Sequence, residues 1–408
     1  MTTAADMAVV RPGYEGHSLV NLMTTLTAHL GGVPLSYAPL AAEAGAAAID
    51  LRDIRQVVLL VVDGLGDDLL ASLGAGSALA RHRVARLTSV FPSTTASAIP
   101  TFLTGLAPQQ HALIGWHMWF AEIDRLLAVL PLSPRDPSPP PDPQPVPLDA
   151  AALPGLLFEH RPLATRLPGA CFCISPRKIA GSPFNRYHTS RSQTLPYGSA
   201  AEMFALIEAL VASRPQRDGS PPDYIHAYYS DLDSVLHVTG TRHERVATLF
   251  AELDRLFAQS LQRLQGSGTL MIVTADHGFI DAPAAHLIEL DSHPDLTAML
   301  ARPLCGERRV AYAYVKPGFA SRFETYVTRN LGHACRLVRT PEFVAEGWFG
   351  PGVPHPRLAA RAGDYVLLMR DDWTIKDWLP GEKRFAQPGV HGGASALEMR
   401  VPLLVARC

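Results

Sequence analysis

The stretch Val57-Val58-Leu59-Leu60-Val61-Val62-Asp63-Gly64 decides the fold. Six apolar residues, β-branched at all but the two leucines, run without a polar break and stop at an Asp-Gly pair. Such a run predicts a strand buried on both faces, the pattern of a central strand in a parallel sheet. Ligands of open parallel sheets bind beyond the carboxyl ends of the strands. Asp63 therefore stands where a carboxylate does little for solubility and much for chemistry, although alone it could equally cap a helix.

The same design recurs along the chain. Leu270 to Thr274 is an apolar run that leads into Ala275-Asp276-His277-Gly278. Tyr224 to Tyr229 is followed at a short remove by Asp233, with His237 four residues further on. Val84 to Phe91 and Ala170 to Ile174 are additional strand candidates. Ala200 to Ser213 and Thr241 to Leu264 carry helical periodicity, and the segment before about Gln56 suggests a helix with irregular flanks. Strands alternating with helices predict an α/β fold with a parallel sheet and right-handed crossovers. Tyr365 to Met369 and Val401 to Ala406 are expected to return to that sheet. Arg308 to Lys316, Phe319 to Leu331 and Cys335 to Arg339 form a β-α-β-like unit, expected as a small lobe inserted at about 285–385. Pro131 to Pro147 is proline-rich, which excludes a helix or a central strand and predicts an extended loop. The whole, 1–408, is expected to be a single catalytic domain.

Composition bounds what such a domain can do. The chain has 408 residues, 47% hydrophobic and 18% charged, enough to bury a large core. Its net charge of -2 provides no basic field for a nucleic-acid polymer. No apolar stretch reaches the ~20 residues of a membrane span, and the N-terminus lacks the pattern of a signal peptide. Five scattered cysteines, an odd number, suit reduced thiols, and a cytoplasmic location is expected.

The chemistry lies in seven residues: Asp63, Thr95, Asp233, His237, Asp276, His277 and His391. Three strand ends deliver carboxylate or imidazole groups to one sheet edge, and His391 sits among glycines in GVHGG. Oxygen and imidazole ligands in this number could hold two divalent cations side by side. The mixed donor set suits zinc best, with manganese or iron as competitors. The run FPSTTASAIPTFLTG (91–105) offers a hydroxyl at a helix N-terminus, where amide dipoles favour an alkoxide or a phosphate. Composition leaves open whether Thr94 or Thr95 would attack, and both could simply be capping residues.

Taken in order, VVDG, FPSTTASAIPTFLTG, DLDSVLH, TADHG and GVHGG resemble the alkaline phosphatase superfamily. Within it they resemble the type I phosphodiesterase/nucleotide pyrophosphatase branch, from about Val57 to Leu404. The resemblance implies a three-layer sandwich around a mostly parallel sheet, with a small inserted lobe. It implies two metal ions, one among Asp63, Asp276, His277 and Thr95 and the other among Asp233, His237 and His391. The family's nucleophile lies ten residues before the glycine of a Thr-Gly pair, and Thr104-Gly105 points to Thr95. The implied activity is hydrolysis of small phosphate esters, foremost diesters or nucleotide pyrophosphates, through a covalent threonine intermediate. Phosphomonoester or phosphonate hydrolysis with the same metals is the alternative, and a metal-binding chain without turnover a further one. Two departures stand out. TASA replaces the TFPN of eukaryotic-type members, so that the run resembles bacterial ones. Trp116 of HALIGW occupies the position of the family's phosphoryl-contacting asparagine. The CxPxR-like motif of sulfatases is absent.

Overall fold

The computed structural model describes residues 7–135, 153–214 and 220–408. Most of the proline-rich segment lies outside the described residues; of its described part, Ser133–Pro134 forms an edge strand. Gln56–Val62 is a fully buried strand at the middle of a seven-stranded sheet. In spatial order the sheet reads Arg83–Thr88, Arg400–Arg407, Thr269–Thr274, Gln56–Val62, Asp223–Tyr229, Cys171–Pro176 and Gln193–Tyr197. Gln56–Val62 pairs in parallel with Asp223–Tyr229 on one side and with Thr269–Thr274 on the other. Arg400–Arg407 alone in this sheet runs antiparallel to its neighbours. The two innermost partners bury nearly every residue, so helices cover both faces. Ala200–Ser213 packs with Glu244–Arg263, and Leu19–His29 packs with Thr95–Thr104. This is the expected α/β arrangement around a mostly parallel sheet.

A second seven-stranded sheet lies beside the first, with a smaller core around Leu296, Phe323, Val327 and Leu367. It takes Val310–Ala313 and Cys335–Arg339, joined by the helix Ala320–Leu331, as the β-α-β pattern requires. Two expectations need correction here. Tyr365–Met369 does not return to the main sheet; it lies antiparallel between Val310–Ala313 and Cys335–Arg339 and splits that unit. Its all-buried pattern marks an internal strand and cannot say of which sheet. The sheet also recruits His117–Phe120, Arg125–Ala128 and Ser133–Pro134, well before residue 285. This docks the lobe next to the helix Thr95–Thr104. Four of the five cysteines are buried and all are unpaired. Among the described residues no helix is long and apolar enough to cross a membrane.

Candidate active site

Asp63 follows the central strand directly, and its N–H still donates to Tyr229 O across the sheet (2.9 Å). Gly64 takes a positive φ of 78°, a turn that a side chain would strain. Asp276 and His277 end the neighbouring strand. Gly278 is not among the glycines with a positive φ. The glycine is required because a Cβ would lie 2.0 Å from Leu397 O. Asp233 and His237 share one face of the helix Asp231–Thr239, four residues apart. His391 lies just past the short strand Gly389–Val390. Thr95 is the first residue of the helix Thr95–Thr104.

The fold brings all seven together. Asp63, Asp276 and His277 form one group and Asp233, His237 and His391 another, each with ligand atoms within 4.8 Å of one another. The groups adjoin through the stacked rings of His277 and His391, with centroids 3.7 Å apart. Thr95 Oγ1 lies 3.1 Å from His277 Nε2 and 3.5 Å from Asp63 Oδ1.

The donor set itself tests whether cations fit. His277, His237 and His391 each turn Nδ1 to a backbone carbonyl: Gly278 O at 3.1 Å, Gly389 O at 2.9 Å and Ser93 O at 3.3 Å. A carbonyl only accepts, so Nδ1 of His277 and of His391 carries a proton, while His237 Nδ1 also meets the Gln387 side-chain amide at 2.6 Å; all three rings turn Nε2 to the centre. His237 Nε2 and His391 Nε2 stand 3.2 Å apart and face Asp233 Oδ1 at 3.3 and 3.7 Å. Asp233 Oδ1 and Asp276 Oδ2 are buried without a hydrogen-bond partner. Lone pairs and bare carboxylate oxygens converging in this way are costly alone and suit divalent cations.

Electrostatics agree. Burial, with Asp233 and Asp276 close by, pushes the Asp63 carboxyl well above its ordinary value, although the Tyr228 hydroxyl donates to it. Burial also raises Asp233. Burial and two neighbouring imidazoles push His391 well below the usual histidine range.

Residues that sequence reasoning missed complete the site. Tyr228 pairs with Val61 in the sheet register, two residues before Asp63, and a register guess could have found it. The tip of the second sheet's hairpin between Cys305–Gly306 and Val310–Ala313 carries Glu307, Arg308 and Arg309; no sequence signal marks them. Arg309 makes a buried bidentate pair with Glu398, at 3.0 Å for both bonds. Glu398 in turn accepts from Gly393 N–H (2.7 Å) and Ser395 O–H (2.6 Å), which fixes the loop after His391. The site opens into a cavity of about 670 Å3 whose walls include Trp116, Arg308, Lys376 and Trp378. Trp119 points elsewhere, against the Arg302 guanidinium 3.8 Å away. Arg177 pairs with Glu202 and does not line the cavity.

Residues 57–393 match the family model of type I phosphodiesterase/nucleotide pyrophosphatase. The chain belongs to this family, and with it to the alkaline phosphatase superfamily. It is an enzyme of the phosphodiesterase/nucleotide pyrophosphatase class. Among solved structures it is similar to murine ectonucleotide pyrophosphatase/phosphodiesterase 5, with 18% identity and a TM-score of 0.62 over 85% of this chain and 87% of that one. An inactive Thr→Ala form of that mouse protein, in complex with AMP, matches with a TM-score of 0.61 at 18% identity over 86% and 87% of the two chains. Phosphonoacetate hydrolase from Sinorhizobium meliloti, in complex with phosphonoformate, matches with 16% identity and a TM-score of 0.57 over 87% and 90%. Among curated proteins no relative matches the chain.

Proposed function

We propose that this chain hydrolyses phosphodiesters or nucleotide pyrophosphate bonds with Thr95 as the nucleophile. One observation carries the reading. The Thr95 hydroxyl sits at a helix N-terminus on the cavity wall, against Asp63 Oδ1 and His277 Nε2. Those two atoms are the ones placed to take its proton, and the first-turn dipoles favour the alkoxide left behind. Thr95 Oγ then attacks phosphorus as the leaving oxygen departs, and a phosphorus–oxygen bond to Thr95 forms. Water breaks that bond and returns the hydroxyl. Asp63, Asp276 and His277 would hold one divalent cation and Asp233, His237 and His391 a second, with zinc the best match to the donors. Bound cations would supply Lewis-acid stabilisation of charge on the attacking and leaving oxygens. The inactive threonine variant of the mouse neighbour, holding AMP, supports both the residue type and the ligand class.

Turnover of bis-nitrophenyl phosphate before and after chelation tests the reading. Activity should vanish with chelator and return with zinc. Turnover indifferent to chelation would refute it.

A further inference from the structure

A carboxylate is tied to the residue before the nucleophile and to the residue that stands at the position of the family's asparagine. Trp116 occupies the asparagine's position, and its N–H is engaged by Glu307 Oε1 at 2.7 Å. The same oxygen accepts the hydroxyl of Thr94, the neighbour of Thr95, also at 2.7 Å. Glu307 packs against the His391 loop as well: a Cβ on Gly392 would lie 3.0 Å from its Cβ. It lines the cavity with Thr94, Thr95, Asp233 and His391. Among the described residues no cation stands within 4 Å of its carboxylate. The donor that could have met a phosphoryl oxygen is thus spent on an anion, and the anion itself faces the bay.

We propose that Glu307 sorts substrates by the charge on the transferred phosphoryl group, admitting singly charged diesters and opposing doubly charged monoesters. The inference rests on the proposed esterase reading. A diester carries one negative charge on its phosphoryl oxygens, whereas a phosphate monoester carries nearly two at neutral pH and above. A carboxylate on the same cavity wall with no cation beside it, in a region of lowered dielectric, repels each unit of charge alike, so the doubly charged monoester bears about twice the penalty of the diester. A purely structural role, tying the hairpin to the nucleophile turn, would affect both esters alike.

Glu307→Gln separates the two. The amide keeps an oxygen for Thr94 and Trp116 and removes the charge. With zinc-loaded protein at alkaline pH, kcat/KM is measured for nitrophenyl phosphate and bis-nitrophenyl phosphate. The monoester-to-diester ratio should rise about tenfold or more in Glu307→Gln. Glu307→Asp, which keeps the charge and weakens the tie, should leave the ratio at its wild-type value. A ratio within about twofold of wild type in Glu307→Gln, or equal losses on both esters, overturns the inference while the esterase reading stands. A wild type inert to both esters overturns the reading and the inference together.

Discussion

Replacing Asp63 by Asn should make the metal-free protein more stable and less responsive to metal. Asp63 and Asp276 hold ligand oxygens within 4.8 Å of each other. Two unit charges at that distance repel by about 3.5 kcal/mol at an effective dielectric of ~20. Asn retains an oxygen for the Tyr228 hydroxyl, and its amide N–H can point to His277 Nε2, which lies 3.3 Å from the present carboxylate. The net gain for the metal-free variant is expected at about 1–3 kcal/mol after relaxation. The pH dependence has a definite sign. The folded carboxyl is raised, chiefly by burial, so folded protein holds a proton that the unfolded chain has already lost. Stability from this group is therefore lost as pH rises from the ordinary carboxylate value of 3.8 through the raised one. The variant should show a shallower slope across that window, keeping only the share of groups such as Asp233, which burial also raises. Urea unfolding midpoints of chelator-treated wild type and Asp63→Asn, from acidic to neutral pH, provide the measurement. Adding zinc at a hundredfold excess over its dissociation constant should then stabilise wild type by about 2.7 kcal/mol. The variant should gain clearly less. A metal-free variant weaker than wild type, or an equal zinc response in both, would refute the reasoning.

Four further substitutions probe the rest of the site. Thr95→Ala should abolish turnover while zinc content, read by elemental analysis, stays near that of wild type; retained activity would remove Thr95 from the mechanism. Arg309→Met strands the fully buried Glu398 carboxylate and should cost about 3–5 kcal/mol in urea unfolding, with zinc occupancy falling as the His391 loop loosens. Pairing it with Glu398→Gln should recover part of that loss. Gly278→Ala drives a Cβ to 2.0 Å from Leu397 O and should lower the unfolding midpoint, by about 1–3 kcal/mol or more, together with zinc affinity.

The main sheet was legible because its central strands are continuous buried runs that end in the functional carboxylates. Gln56–Val62 and Thr269–Thr274 announce both the sheet and its business end. The helix Ala200–Ser213 matched its periodicity residue for residue. The second sheet was less legible. Its strands are short, and one group, from His117 to Pro134, joins partners almost two hundred residues away, a pairing that no local period encodes. Six of the seven ligand-type residues were identifiable because each follows a strand or lies in the first turn of a helix, and His237 by its spacing of four from Asp233. Glu307 and Arg309 were not, since a hairpin tip reads as solvated charge until its neighbours are known. The need for Gly278 was not legible either, since it comes from a carbonyl of a distant segment, Leu397 O.

The antiparallel strand Arg400–Arg407 sits inside the main sheet, between Thr269–Thr274 and Arg83–Thr88. During synthesis, therefore, two open sheet edges must wait until this segment leaves the ribosome, and only then can the gap between them close. His391 and Glu398 emerge just before it. The reactive centre is thereby completed only once this segment has emerged, and a chain halted before Arg400 would carry two unsatisfied edges, prone to pair with another molecule.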